Sequence, residues 1–473
     1  MPQGDVVSMY CCGPTVYNTA HIGNLRTYIF EDVLVRAIRA CGHTVKHVMN
    51  ITDVGHLVSD ADTGEDKMEK GAAREGKSVW QIAEHYTQEF RANMKALNIN
   101  EPSVWAKATD HIPEMIALVK TLQDKGFGYR TADGIYFDTS KFPAYRDFAQ
   151  LDIEGMDAGH RIEMGDKRNI TDFALWKFSP ANEKRQMEWE SPWGLGFPGW
   201  HIECSAMALK HLGQPLDIHC GGTDHIRVHH TNEIAQTEAA TGTQFSRFWV
   251  HGEFLVLDKG KMSKSSGSFL SVKTLVDEGI SPLAYRAFCY SAHYRSPLTF
   301  AFEGVQSAAQ GLRSLKKQVA EISARCATPV SVAAARVDEV LTRFWDAVCD
   351  DLNMPKAMAA VWDLLRDAQV SDAEKLQAIQ RADAVLGLDL LVPDVDSSSK
   401  AVVEHDGTKV TVVSSLALSA DDVEKVVQSV LLRKAAKKAK NFAEADRIRA
   451  EMTSAGIELK DLPGGAVECT LRK

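Results

Sequence analysis

Two short runs of the chain carry residue types suited to handling phosphate. Thr15-Val16-Tyr17-Asn18-Thr19-Ala20-His21-Ile22-Gly23-Asn24 stands where a first apolar run gives way to a helical pattern. Free backbone N–H groups and the dipole at a helix start favour an anion, and His21 and Asn24 add side-chain donors there. Gly23 lets a flat ring approach the backbone closely. Much later, Lys261-Met262-Ser263-Lys264-Ser265-Ser266-Gly267 follows a second apolar run. Two lysines on a loop of small residues can close over phosphates and stabilise the charge that develops as a phosphoryl bond is exchanged. Each run alone also fits a plainer reading, a capped helix start in the first case and a solvated Lys/Ser loop in the second. The nine cysteines (Cys11, Cys12, Cys41, Cys204, Cys220, Cys289, Cys326, Cys349 and Cys469) are the remaining reactive side chains. Their number is odd, they are too dilute for a disulfide scaffold, and no Cys-x-x-Cys pair occurs. Reduced thiols, or a metal site assembled from scattered cysteines, are the two options.

The elements that must position these groups follow from periodicity. Val6 to Tyr10 reads as a short strand, and Leu25, Ile29, Val33, Ala37 and Ala40 recur as one face of a helix. Gly42 is placed as a helix stop, and Thr44 to Ile51 resumes with β-branched residues. That is a right-handed βαβ unit, and it predicts a Rossmann-like doubly wound parallel sheet. The turn lacks Gly-x-Gly-x-x-Gly, which disfavours a dinucleotide. A second α/β portion is expected where Leu216-Asp217-Ile218-His219 runs into Gly221-Gly222 and a helix, with a further strand over Phe248 to Leu257. Between the halves, residues 125–195 carry short strand signals and aromatics such as Tyr136, Phe137, Trp176 and Trp189, as an inserted α+β domain would. From about residue 303 the pattern is that of a C-terminal α-helical bundle, with capping-box starts at Ser371 and Ser419. One interruption, Ala401 to Val413, reads as a hairpin around Asp406-Gly407, after a serine-rich linker over 394–400.

The chain of 473 residues is 45% hydrophobic and 25% charged, an ordinary globular balance that excludes disordered, collagenous and coiled-coil classes. The net charge of −9 gives no global attraction for a polyanion, so any nucleic acid must be held by a local patch. No run reaches the roughly 18 apolar residues of a spanning helix. The start lacks the basic and apolar parts of a secretory signal. No membrane partner and a cytoplasmic location are expected.

The two phosphate-type runs, on opposite halves of one nucleotide fold, resemble class I aminoacyl-tRNA synthetases. Tyr10-Cys11-Cys12-Gly13-Pro14-Thr15-Val16-Tyr17, Gly199-Trp200-His201-Ile202-Glu203-Cys204-Ser205-Ala206-Met207 and His229-His230-Thr231-Asn232-Glu233 are similar to signatures of the cysteinyl-tRNA synthetase family. The resemblance implies one Zn²⁺ held by Cys12, Cys204, His229 and Glu233, with His230 the less favoured neighbour. The chemistry agrees, because two thiolates, an imidazole and a carboxylate suit zinc, and His229 and Glu233 stand four apart on a helical face. Zinc also binds a substrate thiolate far better than a hydroxyl, so cysteine can be told from serine without proofreading. Further implied are catalytic roles for His21, Asn24, Lys261 and Lys264. An ATP site would use His21, Gly23, Asn24, Gly221, Asp224 and Lys264, and amino-acid contacts would come from Cys12, Gly13, Thr52, Trp200 and His219. The other seven cysteines read as buried small hydrophobes. Asp172 to Lys177 reads as a packing and docking element.

The implied partners are ATP with Mg²⁺, L-cysteine and tRNA(Cys), acting on a monomer. The implied division is a catalytic domain in two halves (1–124 and 196–257) around the insertion, a lysine-loop and stem-contact region (258–302), and a helical anticodon-binding domain (303–473). Arg433, Lys434, Lys437, Lys438, Lys440, Arg447 and Arg449 form the one local basic excess, against Glu444 and Asp446, and mark where RNA would be steered. Departures from the family pattern are Asn24 in place of a histidine, Thr231 in place of a glutamate, Phe197 in place of an arginine, and no tryptophan in Gly464 to Cys469. A ligase that joins activated cysteine to an amino sugar would share every active-site motif, and the long basic C-terminal region argues against it. A fold-retaining, zinc-dependent RNA sensor is countered by His21, Lys261 and Lys264.

Overall fold

Val6–Cys11 forms strand β1, the 3.6-residue stripe that follows forms helix α1 (Ile22–Ala40), and Thr44–Ile51 forms β2 beside β1. Leu25, Ile29, Val33 and Ala37 are buried as the stripe requires, whereas Ala40 is exposed on the last turn. The reversal falls at Gly42, whose φ of +90° only glycine adopts without cost. The computed structural model describes residues 5–55, 66–151, 166–180, 185–257, 270–326, 332–392, 399–405, 408–414, 420–462 and 466–471.

Two compact units result, Met1–Leu315 with Ile322–Leu390, and Lys316–Glu321 with Leu391–Lys473. In the first, helices α2 (Lys67–Glu75) and α3 (Val79–Ala96) lead to β3 (Val104–Lys107) and α4 (Ile112–Asp124). Strands β4 (Gly128–Arg130), β5 (Gly134–Phe137), β6 (Phe173–Phe178) and β7 (Gly196–Pro198) then pair in order as an antiparallel sheet, the inserted element. Helix α5 (Trp200–Leu212) returns the chain to β8 (Leu216–Gly222), and α6 (Thr231–Thr241) leads on to β9 (Ser246–Gly252). The main sheet has the order β3-β2-β1-β8-β9 with every pair parallel. The strand order is built outward in opposite directions from β1 and β8, and a ligand crevice opens beyond the carboxyl ends of strands at such a switch point.

The strand expected over Phe248 to Leu257 is two strands. It breaks at Glu253-Phe254, and β10 (Leu255–Leu257) pairs instead with β11 (Leu298–Phe300). The break has a cause upstream. Arg26, nearly buried on α1, donates through Nη1 to the carbonyls of Glu253 and Phe254, both at 2.7 Å, and through Nη2 to those of His293 (3.2 Å) and Ser296 (2.6 Å).

Helices α7 (Val272–Asp277), α8 (Pro282–Cys289), α9 (Phe302–Arg325), α10 (Ala334–Val340), α11 (Thr342–Cys349), α12 (Met354–Arg366) and α13 (Asp372–Leu386) follow, and the capping box of Ser371 and Glu374 opens α13. A fully buried ion pair ties α1, α8 and α13 together. Arg286 gives Nη2 to Asp32 (2.6 Å), Nη1 to the carbonyls of Leu97 and Asn98, and Nε to that of Leu386. A buried charge is tolerated when its donors are spent in this way.

The second unit is not wholly helical. The expected hairpin is strands β12 (Ser399–His405) and β13 (Thr408–Ser414), whose Asp406-Gly407 turn lies outside the described residues. They belong to a four-stranded sheet, β12-β13-β15-β14, with β14 (Ile457–Asp461) and β15 (Val467–Leu471). Helices α14 (Ala420–Lys438) and α15 (Phe442–Ser454) complete the unit, and Val410, Val412, Val426, Val430, Met452 and Cys469 fill its core. Ser419, the expected start of α14, lies outside the described residues. Among the described residues, no helix is long and apolar enough to cross a membrane.

Candidate active site

At the switch point β1 runs into Cys12-Gly13 and β8 ends in Gly221-Gly222. Gly13 must be glycine, because a Cβ there would stand 1.7 Å from the Asn50 carbonyl oxygen. Its N–H donates to Asn50 Oδ1 (2.7 Å), and Asn50 Nδ2 donates to Thr52 Oγ1 (3.0 Å). A cleft of about 290 Å³ opens there, lined by Cys12, Cys204, His229 and Trp200 and also by Asn24, Gly222 and Asp224. Gly13 and Thr52 line it as well. His219, Gly221 and Glu233 lie behind it, and a Cβ on Gly221 would meet His225 and His230, so that glycine makes room for imidazoles.

Three of the lining residues belong to a donor cluster. One ligand atom from each of Cys12, Cys204, His229 and Glu233 lies within 4.8 Å of the others, and all four residues are buried. Cys12, His219, His230 and Glu233 form an overlapping second set. Glu233 Oε1 faces His229 Nε2 at 3.7 Å, while Oε2 faces His219 Nε2 at 3.0 Å and His230 Nε2 at 4.0 Å. Neither oxygen has an aligned hydrogen-bond donor, an unusual state for a buried carboxylate. Burial pushes Glu233 upward, but the facing imidazoles of His219 and His229 prevail and hold it below the usual carboxylate range. Burial also pushes His229 and His230 well below their ordinary value, which keeps them neutral, as a metal ligand must be. Burial raises the Cys12 thiol strongly, and Cys204 is raised as well, because its hydrogen bond with Cys12 is outweighed by desolvation and Glu233. Two sulfurs, a nitrogen and an oxygen converging on one point fit Zn²⁺, which would draw both thiols into the thiolate form. The outer nitrogens are held too, His229 Nδ1 by His201 Nδ1 (3.0 Å) and His230 Nδ1 by His251 Nε2 (2.8 Å).

The spacing that links His229 to Glu233 survives an irregularity that sequence periodicity does not reveal. Ile226–His230 is a π-helical turn, and α6 begins only at Thr231. Such turns often sit at functional sites because they re-aim one side chain. Sequence reasoning left Glu203, His201, His225 and His251 without roles. Glu203, fully buried on α5, accepts from Thr52 Oγ1 (3.2 Å), and His225 lines the cleft. For His201, Glu203 and His225 the signal was adjacency to Trp200, Cys204 and Asp224, whereas His251 had none.

The other candidate group lies on the first turn of α1, whose Asn24 lines the cleft while His21 and Gly23 are not among its lining residues. His21 caps the helix, its Nδ1 accepting from the Gly23 N–H at 3.0 Å, so the neutral ring carries its proton on Nε2. Burial holds the His21 pKa below its ordinary value. Lys261 and Lys264 lie outside the described residues, but the chain on both sides of their segment is anchored to this turn. Arg26 holds the Phe254 carbonyl on one side, and the Leu270 carbonyl accepts from the Ile22 N–H (2.9 Å) on the other.

Two expectations need correction. Cys41 and Cys349 are exposed and Cys326 is half-exposed, so these three are not buried hydrophobes, whereas Cys11, Cys220, Cys289 and Cys469 are buried. The basic run is also less free than its composition suggests. Arg433 makes a bidentate pair with Asp461 (2.9 and 3.0 Å), Lys437 joins it (2.9 Å), and Arg447 pairs with Glu444 and Glu451. Among the described residues, Lys438, Lys440 and Arg449 make no ion pair.

A family model described as the tRNA synthetases class I (C) catalytic domain matches residues 2–310. The cysteine–tRNA ligase 1 of Burkholderia lata is 50% identical over 462 residues, covering 97% of this chain and 91% of that protein. The cysteine–tRNA ligase of Treponema denticola is 42% identical over 475 residues, covering 96% and 94%. A solved Mycobacterium tuberculosis methionyl-tRNA synthetase superposes with a TM-score of 0.55 at 17% identity, covering 81% of this chain and 88% of that one, a likeness of fold.

Proposed function

The chain belongs to the cysteine–tRNA ligase family of class I tRNA synthetases, and from that premise we propose that it joins L-cysteine to tRNA(Cys) in two steps driven by ATP. The cysteine carboxylate attacks the α-phosphate in line and pyrophosphate leaves. The 2′-hydroxyl of the terminal adenosine then attacks the cysteinyl carbonyl, and AMP leaves. One observation carries the reading, a single cleft lined both by the thiols of Cys12 and Cys204 with the imidazole of His229 and by Asn24 of the first turn of α1.

Cys12, Cys204, His229 and Glu233 would hold Zn²⁺, which supplies a soft Lewis acid for the substrate thiolate and so separates cysteine from serine. Of the two overlapping donor sets this one is preferred, because three of its members face the cleft and a catalytic metal site keeps an open position. Gly13, Thr52 and Trp200 border the amino acid. His219 acts one layer behind, against Glu233, and orients that carboxylate. His21 Nε2–H and the Asn24 amide donate to the phosphates at the dipole end of α1, and Gly222 and Asp224 border the nucleotide. Lys261 and Lys264 are assigned to the charge that builds on the phosphates as pyrophosphate departs. Mg²⁺ accompanies ATP, the working form is a monomer, and its place is the cytoplasm. The helical region and the second unit contact the tRNA, the latter through Lys438, Lys440 and Arg449.

The test is transfer of labelled cysteine, with serine as control, onto unfractionated tRNA. Charging by cysteine alone is the expected result. Cysteine-dependent pyrophosphate exchange without charging would instead indicate another acceptor.

A further inference from the structure

The donors around Glu233 fall into two groups rather than one. Cys12, Cys204, His229 and Glu233 make the group assigned above, and Cys12, His219, His230 and Glu233 make the other, each with its ligand atoms within 4.8 Å of one another. Cys12 and Glu233 belong to both, and the carboxylate divides its oxygens between them. Oε1 faces His229 Nε2 at 3.7 Å, whereas Oε2 faces His219 Nε2 at 3.0 Å and His230 Nε2 at 4.0 Å. Cys12 Sγ stands 3.5 Å from His230 Nε2. Ligand atoms about 2.0 to 2.3 Å from one tetrahedral ion lie roughly 3.3 to 3.8 Å apart, and the separations in the second group bracket that range. This group is also enclosed. His219, His230 and Glu233 are fully buried, and of the four residues only Cys12 lines the cleft. Among the described residues neither ring nitrogen of His219 has an aligned hydrogen-bond partner, a cost for a buried imidazole unless its lone pair is taken up. Stacking on Trp249 sets the plane of that ring, with centroids 4.5 Å apart and 19° between planes. His230 Nδ1 is held by His251 Nε2 (2.8 Å), which leaves Nε2 turned to the group. Gly221 keeps that nitrogen clear, since a Cβ there would stand 3.0 Å from it.

We propose that Cys12, His219, His230 and Glu233 are a second, inner metal site, which takes a borderline divalent cation such as Zn²⁺ or Co²⁺ behind the ion of the cleft, with the Cys12 thiolate and the Glu233 carboxylate bridging the two. Four protein ligands without an opening are the marks of a structural metal position, whereas the outer group keeps a face on the cleft. Two imidazoles, one sulfur and one oxygen suit these ions, and the outer group, with one more thiolate, fills first. Charge favours filling both positions. One divalent cation against two thiolates and a carboxylate leaves the enclosed set with one negative charge in excess, and a substrate thiolate would add another. A second cation turns that excess to one positive charge, which the substrate thiolate cancels, and buried charge is tolerated only when balanced. This balance rests on the cysteine reading given above, while the donor geometry stands without it.

Full-length protein is loaded with excess Zn²⁺, desalted and its metal counted by mass spectrometry, and a chelator-treated sample is titrated with Co²⁺ and followed by electron spin resonance. Two equivalents of metal per chain are expected. The Co²⁺ spin signal should rise with the first equivalent and fall with the second, because ions that share a thiolate couple their spins. His219→Ala and His230→Ala should each keep one equivalent, with a signal that no longer falls and with the thiolate-to-cobalt absorption of the outer group intact. Should those variants fail to fold, the wild-type signal decides. Wild-type protein that stops at one equivalent, a second equivalent that survives both variants, or a signal that rises evenly through two equivalents would overturn the inner site and leave the outer one standing. Absence of any metal uptake would overturn both. The metal count does not depend on charging of tRNA, so failure of the inner site and failure of the cysteine reading are told apart.

Discussion

The donor cluster at the sheet's switch point and the basic run of α14 both stand out in the sequence as groups of polar side chains, yet the fold treats them oppositely. Cys12, Cys204, His229 and Glu233 come from three separate stretches and converge with their ligand atoms facing one another and both Glu233 oxygens unsatisfied. Arg433 and Lys437 come from one stretch and turn onto the single carboxylate of Asp461. A converging set whose polar atoms remain unsatisfied is organised around something that must arrive. A set whose charges are spent within the fold is structure. Composition and local excess charge do not separate these cases, whereas the state of the last acceptor does.

The sharpest way to break the comparison is to remove one member of the convergent set. Cys204→Ser or Glu233→Gln should lose the bound metal and lower cysteine-dependent pyrophosphate exchange by more than the roughly 10- to 100-fold that supporting residues around a metal are worth. Metal content by mass spectrometry, read beside the exchange rate, checks this. Full metal with unchanged KM would strike that residue from the set. Arg26→Ala is the next largest change. It frees the carbonyls of Glu253 and Phe254 at the root of the lysine segment, and those of His293 and Ser296, without touching the donor cluster, so kcat for exchange should fall by about 100-fold, the scale of a 1 Å misplacement. Metal content and KM for cysteine should hold, and loss of metal would show that Arg26 serves the fold as a whole.

The basic run yields a smaller effect and a discriminating one. Lys438→Gln with Lys440→Gln should weaken tRNA binding and lower the slope of log K against log salt by about 2, since each lysine answers to one phosphate. Lys437→Gln, already committed to Asp461, should leave that slope nearly unchanged. Equal slopes in both variants would mean that the internal pairing does not decide which lysines meet RNA.

Much of this was legible beforehand, for identifiable reasons. The βαβ unit declared itself because Leu25, Ile29, Val33 and Ala37 keep a helical period and Gly42 ends it. The convergent set was legible through a resemblance and through donor chemistry, which depends on residue type and little on local conformation. What escaped depends on partners distant in sequence. The strand over Phe248 to Leu257 breaks because Arg26, far upstream, captures the carbonyls of Glu253 and Phe254. The π-turn before α6 left the four-residue link between His229 and Glu233 intact and so hid itself. Cys41 and Cys349 were assigned to the interior by the usual habit of cysteine, which periodicity overrules only when the helix face is known. Asp461, which consumes two charges of the basic run, belongs to β14, an element the helical pattern around it concealed.

That aspartate permits the finest test of the contrast. Arg433, through hydrogen bonds, and then Lys437 hold its carboxyl well below the ordinary range. A carboxyl depressed in the folded state contributes stability that is fully present above its unfolded value, about 3.9, and is lost as pH falls through the lower folded value. Asp461 is half-exposed, with 52% of its side chain accessible, so solvent screening limits the pair to about 1 kcal/mol. Asp461→Asn should therefore lower the stability of the second unit by that amount at neutral pH, and the difference from wild type should shrink once the medium is acid enough to protonate Asp461. Arg433 is almost buried, so the same variant leaves a guanidinium without its carboxylate, and the neutral-pH loss should exceed that of Lys437→Gln, whose ammonium is exposed to water. If Asp461→Asn and Lys437→Gln cost the same, the bidentate pair is a surface contact like any other, and the basic run returns whole to the pool of charges available to RNA.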